Sequence, residues 1–476
     1  MIPSRFLKII FVAPAAFGMT AAFIFGWLLL PERAASDPAP EAAVRPEPDL
    51  SAGKEAFEAN CARCHGDTGA GDGPDARRMV PHPRNLAEGV FKFRTTISGT
   101  VPTDEDLFHT ISTGLPGSRM PDFQRLPEDI RWQLVYYVKS LSPAFQDENQ
   151  KPERVDLGSD PGPREIDLQK GKELYAQLGC IACHGNQGRG DGPSAPTLID
   201  NRGEPIKAAD LTQGWNYRGG SSPKEITARF LTGIDGTPMP SYADAVESKQ
   251  DAWTLAYYVH SLQQVPEWKT AVEAVKTASG LPTAPDDAGW DAVPRSDLRL
   301  SNIYYQGNKI RETAVNAISV QAVYNEEELV LRLRWHDPVE NRQAPPDAAA
   351  VVLLEDRAEK WKIGSLRSWP ASKEAPAMNL LYWSADRRGA REAVSRGTAP
   401  VEAGQVSGQE CASEAVYKEG EWSLIVRRPF RSSLEGRVEV RSKDNPVLIG
   451  FMVWEGYNGE KGRHRANSSW VSLILK

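Results

Sequence analysis

The sequence predicts a chain of several domains: an N-terminal transmembrane helix, two all-α domains and a C-terminal all-β antiparallel sandwich. Three observations support this prediction. An apolar stretch lies near the start of the chain, one residue pattern occurs twice at an offset of 119 positions, and the hydrophobic periodicity changes from helical to alternating beyond about residue 297. A chain of 476 residues is also too long for one ordinary core.

The N-terminal residues 9–30 form a continuous apolar stretch of 22 residues. A helix needs about 20 such residues to cross a bilayer. Because Arg5 and Lys8 precede the stretch, we expect a cytoplasmic N-terminus and a chain that lies mostly on the exported, periplasmic side. The alternative is a signal peptide cleaved near Ala35, but signal peptides usually have a shorter apolar part of about 7–15 residues. An uncleaved membrane anchor is therefore the prediction.

Two C-x-x-C-H motifs carry the chemistry of the predicted α domains. This pattern is typical of covalent haem attachment, in which the thiols bind the porphyrin edge and the imidazole becomes an axial iron ligand. A shared zinc site is disfavoured, because the motifs lie 180 − 61 = 119 residues apart and zinc ribbons use about 15–20. A redox dithiol would not need the histidine. The predicted haem-binding residues are Cys61, Cys64 and His65, and Cys180, Cys183 and His184.

A methionine follows each motif at the same distance. Met120 lies in GLPGSRMPDF and Met239 in GIDGTPMPSY, and the separations from the histidines agree, since 120 − 65 = 55 and 239 − 184 = 55. A methionine opposite histidine raises the reduction potential and suits electron transfer. The two methionines are therefore predicted to be the second axial ligands of two haem c groups. Each copy ends with an amphipathic helical pattern whose aromatic residues fit either core packing or haem contact: Trp132, Tyr136, Trp253 and Tyr257.

The repeated segments resemble a known family. CHGDTGAGDGPDARRMVPHPRNL and DEDLFHTISTGLPGSRMPDF in the first copy, and GRGDGPSAPTLID and TGIDGTPMPSY in the second, resemble class I cytochrome c modules of exported or membrane-tethered multihaem cytochromes. The resemblance implies His65 with Met120 on one iron, and His184 with Met239 on the other.

The C-terminal part shows short alternating segments such as ISVQAVY, LVLRLRW and VLIGFMVW, which predict strands. With RLRWHDP, NLLYWSADR and VWEGYNGEKGRHRANSSWVSL, it resembles the haem b-binding gamma subunit of ethylbenzene dehydrogenase, which serves molybdenum enzymes of the dimethyl sulfoxide reductase superfamily. That family binds haem b between a methionine and a lysine. Here Arg465 occupies the place of the lysine, and an arginine has no lone pair to give iron. For one further haem b, Met378 remains the candidate methionine, and His464 or Lys461 would take the place of the lysine, with His336 as a weaker candidate. The alternative is a docking module that has lost its cofactor.

The predicted domain boundaries follow from these segments. They are 1–30 (anchor or signal), 31–50 (a linker rich in proline and alanine), 51–142 (first cytochrome c domain), 143–165 (linker), 166–265 (second cytochrome c domain), 266–296 (linker) and 297–476 (gamma-like β-sandwich). The fifth cysteine, Cys411, is predicted to be an inert thiol, with pairing to another chain as the alternative. The net charge of −7 argues against a nucleic-acid partner.

We expect an electron-transfer subunit that is not an enzyme by itself. Its expected partners are the catalytic and iron–sulfur subunits of a molybdenum enzyme, and a soluble or membrane cytochrome. The protein would supply ligands, burial and orientation, while the iron carries the electron. Two alternatives remain open: a self-contained haem enzyme such as a dihaem peroxidase, and a free-standing membrane-tethered electron shuttle.

Overall fold

The computed structural model describes residues 45–79, 81–277, 280–301, 303–306, 309–355, 378–395, 409–440 and 447–476. The predicted anchor and most of the linker after it lie outside the described residues. Among the residues that the structure describes, no helix is long and apolar enough to span a bilayer. The membrane anchor and the exported location therefore stay predictions.

Two helical domains form the N-terminal half of the described chain. The first contains α1 (Leu50–Asn60), α2 (Ala62–His65), α3 (Asp104–Thr113) and α4 (Glu128–Ser140). The second contains α5 (Leu168–Gln177), α6 (Ile181–His184), α7 (Pro223–Thr232) and α8 (Lys249–Ser261). In each domain the first helix packs against the last one, as α1 does on α4 and α5 on α8. The predicted internal repeat is thus a repeat of one four-helix arrangement.

The same capping chemistry starts the equivalent helices of both domains. Asp49 accepts hydrogen bonds from two backbone N–H groups at the start of α1, and Asp167 does the same for α5. A capping box starts α3 at Thr103 and α7 at Ser222. Such caps satisfy N–H groups that have no partner inside the helix, and each stabilises the helix by about 1 kcal/mol. The sequence therefore encodes the helix starts locally.

Glycines allow the close crossing of the first and last helices. A Cβ on Gly53 would lie 2.4 Å from the carbonyl oxygen of Gln133 and 2.8 Å from Cβ of Tyr137. A Cβ on Gly171 would lie 2.6 Å from Cβ of Tyr258. Real Cβ atoms do not approach this closely, so the two helices can pack at this distance only if the residue is glycine.

Gly171→Ala is expected to lower the free energy of unfolding by about 2 kcal/mol, because the added methyl group must push α5 away from α8. Guanidinium denaturation of the haem-loaded protein measures this loss. Gly280→Ala is the matched control, since a Cβ there meets nothing within 4 Å. Equal stability of the two variants would contradict the close-packing explanation.

The equal spacing of the two copies conceals differences in loop length. The carbonyl group that the motif histidine contacts belongs to Arg84 in the first domain and to Ala209 in the second. These lie 84 − 65 = 19 and 209 − 184 = 25 residues after the histidine. The second domain is six residues longer here and correspondingly shorter before α7, so the separation of histidine from methionine is restored.

The C-terminal domain is built from strands, as predicted. In chain order they are β1 (Ala271–Lys276), β2 (Ser296–Ser301), β3 (Ile303–Gln306), β4 (Lys309–Glu312), β5 (Ala317–Tyr324), β6 (Glu328–His336), β7 (Ala348–Glu355), β8 (Met378–Ser384), β9 (Ala390–Ser395), β10 (Gln409–Cys411), β11 (Ser413–Lys418), β12 (Glu421–Pro429), β13 (Val447–Trp454), β14 (Ala466–Ser468) and β15 (Val471–Leu475).

Thirteen of these strands make one long folded sheet, and β3 and β4 form a separate two-stranded sheet. The order of the long sheet in the described residues is β10-β9-β8-β7-β13-β14-β2-β5-β6-β12-β11, while β15 pairs with β13 and β1 pairs with both β15 and β5. The pairs along the main path are antiparallel, whereas both pairings of β1 are parallel. Alternate residues of both halves meet in one apolar core that includes Trp335, Phe451 and Trp422. An antiparallel sheet domain therefore follows the helical region.

Residues 266–296 were predicted to be a linker, and this prediction is wrong because part of the segment belongs to the sheet domain. It supplies β1 and a short 3-10 helix at Ala288–Ala292, whose Trp290 is completely buried. The strand pairs with β15, about 200 positions later in the chain. Because a parallel partner so distant leaves no local turn signal, the segment resembles a loop in the sequence. The domain thus begins before residue 297.

Candidate functional site

Each C-x-x-C-H motif folds into a single helical turn. In the first motif, the backbone N–H groups of Cys64 and His65 donate to the carbonyl oxygen of Cys61, at 3.0 and 2.9 Å. In the second, the N–H of His184 donates to the carbonyl oxygen of Cys180 at 2.9 Å. Residues three and four positions apart share one side of a helix, so each turn presents two thiols and one imidazole together. The thiols are unpaired and half-buried.

The first cysteine of each motif is held in the protonated form. Burial raises the pKa of Cys61 to about 12, and burial also raises the pKa of Cys180 to about 11. A redox-active cysteine requires a lowered pKa, since the thiolate is the nucleophile. The environment thus counts against a redox-active dithiol and is compatible with uncharged thioether sulfur.

The motif histidines are oriented by backbone carbonyl groups. Nδ1 of His65 lies 2.9 Å from the carbonyl oxygen of Arg84, and Nδ1 of His184 lies 2.9 Å from that of Ala209. Burial lowers the pKa of both imidazoles, which favours the neutral ring. A neutral ring that donates from Nδ1 keeps its lone pair on Nε2. This is the tautomer needed by a histidine that ligates iron through Nε2.

The repeated GDGP sequence packs against the backbone of the attachment turn. A Cβ on Gly73 would lie 2.4 Å from the carbonyl oxygen of Arg63, and a Cβ on Gly192 would lie 2.4 Å from that of Ala182. No side chain larger than hydrogen fits between these backbones. The glycines therefore let the loop pack directly on the turn and fix its position.

The two methionines lie in loops with the same hydrogen bonds. The backbone N–H of Met120 donates to Oγ of Ser118 at 3.1 Å, and that of Met239 donates to Oγ1 of Thr237 at 3.2 Å. Both methionine side chains are half-buried. The loops are thus held by local hydroxyl groups, which the sequence shows only as a serine or threonine two residues before each methionine.

Apolar clusters adjoin both motifs. In the second domain Cys180 and Met239 pack on the same cluster, which contains Tyr175, Phe230 and Leu231. In the first, Cys61 packs on the cluster of Phe57 and its neighbours. A covalently attached porphyrin needs such an apolar wall next to its thioether and axial ligands. The donor set and its surroundings therefore fit a haem c in each domain.

The aromatic residues of α4 and α8 serve the core and the linker. Trp132 stacks on Phe108 with ring centroids 4.2 Å apart, and Nε1 of Trp253 donates to the carbonyl oxygen of Leu157. The hydroxyl of Tyr136 donates to the carbonyl oxygen of Pro46. These residues thus contact the core or the adjoining linkers, while haem contact stays a prediction.

Each methionine loop also faces the other helical domain. The guanidinium of Arg218 donates to the carbonyl oxygen of Gly117, in the loop before Met120, at 3.2 Å. In the opposite direction, Arg94 forms an ion pair of 2.9 Å with Asp235, in the loop before Met239. The side chain of Arg94 is fully buried. The two predicted ligand loops therefore meet at one interface.

The sandwich contacts the second helical domain near its histidine. Nδ1 of His336, at the end of β6, lies 3.3 Å from Oδ2 of Asp210, the residue after Ala209. Burial lowers the pKa of His336 to about 3 and raises that of Asp210 to about 6. At neutral pH a neutral imidazole thus lies beside a carboxylate. The sandwich thereby touches the segment whose carbonyl group orients His184.

A second part of the same contact borders the attachment turn. The guanidinium of Arg189 donates to the carbonyl oxygen of Glu419, and Nζ of Lys207 lies 3.5 Å from Oδ1 of Asn458. A cavity of about 440 Å³ lies between the two domains, with Ile181 and Pro338 in its wall. The sandwich therefore contacts the second domain both at its attachment turn and at the segment that orients its histidine, and β4 also lies against Ala76–Arg78 of the first domain.

The predicted haem b residues lie in the C-terminal domain, but their role stays a prediction. Met378 is buried in an apolar cluster on the outer face of the sheet, with Trp454 and Met452. The guanidinium of Arg465 lies over the ring of Trp454 at 5.5 Å, and its Nε donates to Asn467. His464 is buried next to it in the chain. Because Arg465 is protonated and donates hydrogen bonds, it does not fit as an iron ligand.

Cys411 is buried at the end of β10, with 8% of its surface exposed. Burial, assisted by the charge of Glu392, raises the pKa of its thiol to about 12. At pH 8 only about one molecule in 10⁴ would carry a thiolate.

The folded, haem-loaded protein is therefore expected to resist alkylation by iodoacetamide at pH 8, whereas the protein in urea takes up one carbamidomethyl group at Cys411. Intact-mass spectrometry before and after unfolding measures this. One added group in the folded state would contradict the predicted inert thiol.

Sequence reasoning did not reveal a group of buried acids in the sandwich. Asp337, Asp347 and Glu455 are almost completely buried and place one carboxylate oxygen each within 4.8 Å of the others. Burial, together with the neighbouring acids, raises the pKa of Asp337 to about 9. The only sequence signal is the position of each acid directly after a strand or just before one, in HDP, PPDAAA and WEG.

Comparison with known proteins supports the cytochrome c prediction for the two helical domains. Residues 50–142 and 168–263 match the cytochrome c family. A Haloferax mediterranei chain described as a respiratory nitrate reductase haem subunit is 26% identical over 212 residues, which cover 43% of this chain and 72% of that one. The cbb3-type cytochrome c oxidase subunit CcoP of Helicobacter pylori is 26% identical over 220 residues, which cover 45% of this chain and 59% of that one.

One solved structure is also similar. A chain of the Kuenenia stuttgartiensis reducing HAO-like protein complex Kustc0457/Kustc0458 is 45% identical, with a TM-score of 0.44. The similarity covers 46% of this chain and 100% of that chain.

Proposed function

We propose that the chain is an electron-transfer subunit with two covalently bound haem c groups, because residues 50–142 and 168–263 are cytochrome c domains. One observation most directly supports the binding of two haem groups. Both domains contain the same attachment turn, the same Nδ1 hydrogen bond and the same hydroxyl-supported methionine loop. When bound, each haem supplies a reversible one-electron couple of iron.

The side chains of each domain have separate roles in this proposal. The four cysteines of the motifs would hold the porphyrins by thioether bonds. The imidazoles of His65 and His184 and the thioethers of Met120 and Met239 would ligate the irons, which would favour a comparatively high reduction potential. The backbone carbonyl groups of Arg84 and Ala209 hold the imidazoles in the required tautomer.

The interface between the domains supports a relay. The loops before Met120 and Met239 each contact the opposite domain through an arginine. These contacts of each ligand loop with the opposite domain keep the two haem-binding sites in a fixed relation, which suits electron transfer from one site to the other. The buried ion pair of Arg94 with Asp235 is the strongest of these contacts.

We further propose that the sandwich docks the relay onto a larger redox complex. The relatives named above are subunits of a nitrate reductase and of a cbb3 oxidase, so a complex of several subunits is the expected setting. The partner proposed here is a molybdopterin enzyme with an iron–sulfur subunit, and the second electron partner is a respiratory cytochrome or membrane complex. The N-terminal apolar stretch would hold the chain at the membrane, facing the periplasm.

Purification from the native host in mild detergent tests the subunit proposal. We expect an iron–sulfur polypeptide and a molybdenum-containing polypeptide to co-purify with the chain, and electrons from their substrate to reduce its haems within one turnover. A 52.4 kDa cytochrome that purifies alone and is reduced only by other cytochromes would contradict the proposal and favour the free-standing shuttle.

The alternative of a self-contained haem enzyme makes a different prediction. A dihaem peroxidase must open one coordination position during turnover, whereas each domain here offers a methionine at equal spacing. Peroxide turnover, together with loss of the methionine–iron charge-transfer band at one haem, would contradict electron transfer as the main role. For haem b, a cofactor extractable in acid–acetone would support the ligand pair Met378 and His464.

A further inference from the structure

The sandwich contains a compact group of buried carboxyl side chains, which we call the carboxyl cluster: Asp337, Asp347 and Glu455. Asp337 follows β6, Asp347 precedes β7 and Glu455 follows β13. Their exposed fractions are 0%, 0% and 1%. A fourth acid, Glu460, is 1% exposed and accepts a hydrogen bond from the backbone N–H of Glu455. Three separate strand ends thus bring four acids to one place.

Hydrogen bonds fix the cluster but leave part of it without a partner. Asp347 accepts from the backbone N–H groups of Asn341 and Gly456, at 2.6 and 2.8 Å, and from Nε1 of Trp422 at 3.1 Å. Its position is therefore determined by three donors from different segments.

Two oxygens of the cluster have no hydrogen-bond partner. They are Oδ2 of Asp337 and Oε1 of Glu455, and both are buried. A buried acceptor without a donor costs about 1–3 kcal/mol, and more if it is charged. Such oxygens in an otherwise saturated site are the positions at which a cation would bind.

The charges around the cluster are not balanced by the protein. Among the described residues, no lysine or arginine forms an ion pair with any of the four acids. By contrast, the buried carboxylate of Glu392 in the same domain has ion pairs with Arg428 and Arg437. Buried carboxyl groups in proteins are normally paired, neutralised by a proton or bound to a metal. The four acids have no such ion pair among the described residues.

The donor set indicates which ion would fit. It consists of oxygen atoms only, which suits a hard cation rather than zinc or copper. The three ligand atoms lie within 4.8 Å of one another. Oxygens on opposite sides of Ca²⁺ stand about 4.6–5.2 Å apart, so separations of up to 4.8 Å let all three atoms reach one ion. Ca²⁺ also accepts the irregular geometry of three separate strand ends, whereas Mg²⁺ demands a nearly ideal octahedron.

We propose that Asp337, Asp347 and Glu455 form a binding site for one Ca²⁺ ion in the C-terminal domain. The ion neutralises the cluster and joins the ends of β6, β7 and β13. This inference does not depend on the haem groups.

The site lies beside the contact with the second cytochrome c domain. Asp337 follows His336, which contacts Asp210, and Asn458 of the loop after Glu455 contacts Lys207. The N–H of Asn458 also donates to Oε2 of Glu455 at 2.6 Å. An ion at the cluster therefore stabilises both sandwich segments that touch the domain of His184.

Calcium binding to the full-length, haem-loaded protein tests the proposal. After treatment with EDTA and dialysis, we expect isothermal titration with CaCl₂ to give one site per chain. At a hundredfold excess of Ca²⁺ over the dissociation constant, calorimetry should show the unfolding temperature of the sandwich raised by about 5 °C or more. MgCl₂ at the same concentration should raise it by less than half as much.

Two variants separate binding from folding. Asp337→Asn and Glu455→Gln should each weaken Ca²⁺ binding at least tenfold, and in EDTA Asp337→Asn should be no less stable than the original protein, because the amide avoids the cost of burying or protonating a carboxylate there. Asp297→Asn is the matched control: it is equally buried but has an ion pair with Arg295, so its Ca²⁺ binding should not change.

Two results would overturn the proposal. The first is the absence of saturable Ca²⁺ binding by the original protein, with the same unfolding temperature in CaCl₂ and in EDTA. The second is Ca²⁺ binding that both cluster variants retain at full affinity, which would place the ion elsewhere. If a variant does not fold, the titration of the original protein still decides.

Discussion

Replacing Met239 with leucine is expected to lower the reduction potential of one haem by a few hundred millivolts, within the span of roughly 0.8 V that axial ligands control. Leucine has a similar volume but no sulfur lone pair, so the iron loses its proposed second ligand while the packing near Cys180 is kept. Half of the methionine–iron charge-transfer absorbance should disappear, and the other haem should keep its potential.

Met120→Leu should produce the same loss at the other haem, and the double variant should lose the band completely. Redox titration followed by visible absorption measures all three variants. Met79→Leu is the matched control, because Met79 lies in the first domain but outside the conserved spacing of the two copies. If Met79→Leu removes the band and Met120→Leu does not, the ligand assignment of the first domain is wrong.

Asp235→Asn is expected to lower the free energy of unfolding by about 3 kcal/mol, because it leaves the guanidinium of Arg94 buried without a counter-charge. The exposed fractions of the two side chains are 0% for Arg94 and 22% for Asp235, so solvent screens the carboxylate only partly. The loss should fall at the lower end of the range for broken buried pairs for this reason.

The same variant should slow electron exchange between the haems, since Asp235 lies in the loop that carries Met239. Flash photoreduction followed at two wavelengths measures the rate, and guanidinium denaturation measures stability. Glu165→Gln, an exposed acid of the linker, is the control and should change neither. Unchanged stability of Asp235→Asn would contradict the role assigned to the buried ion pair.

Much of the helical half was predictable because its signals are local. The motif turns, the helix caps and the glycine-rich loop each depend on residues a few positions apart, such as Asp49 with the first N–H groups of α1. The equal separation of histidine and methionine is visible in the sequence, but the reason for it is not. It results from two opposite changes in loop length, which become visible only when the carbonyl groups of Arg84 and Ala209 are found at equivalent positions.

The features that the sequence did not reveal depend on distant partners. β1 forms by pairing with β5 and β15, both of which lie far away in the chain. Residues 271–276 are therefore not followed by a turn that would mark a hairpin. The carboxyl cluster likewise combines Asp337, Asp347 and Glu455, which no motif connects. The contact of His336 with Asp210 joins two domains and is equally invisible in either segment alone.

The central claim is that the chain binds two haem c groups covalently. A pyridine haemochrome spectrum of the purified protein, recorded before and after acid–acetone extraction, tests this most directly. We predict two haems per chain with the spectrum of haem c, both retained after extraction. A count of one or none in the extracted protein would contradict the claim.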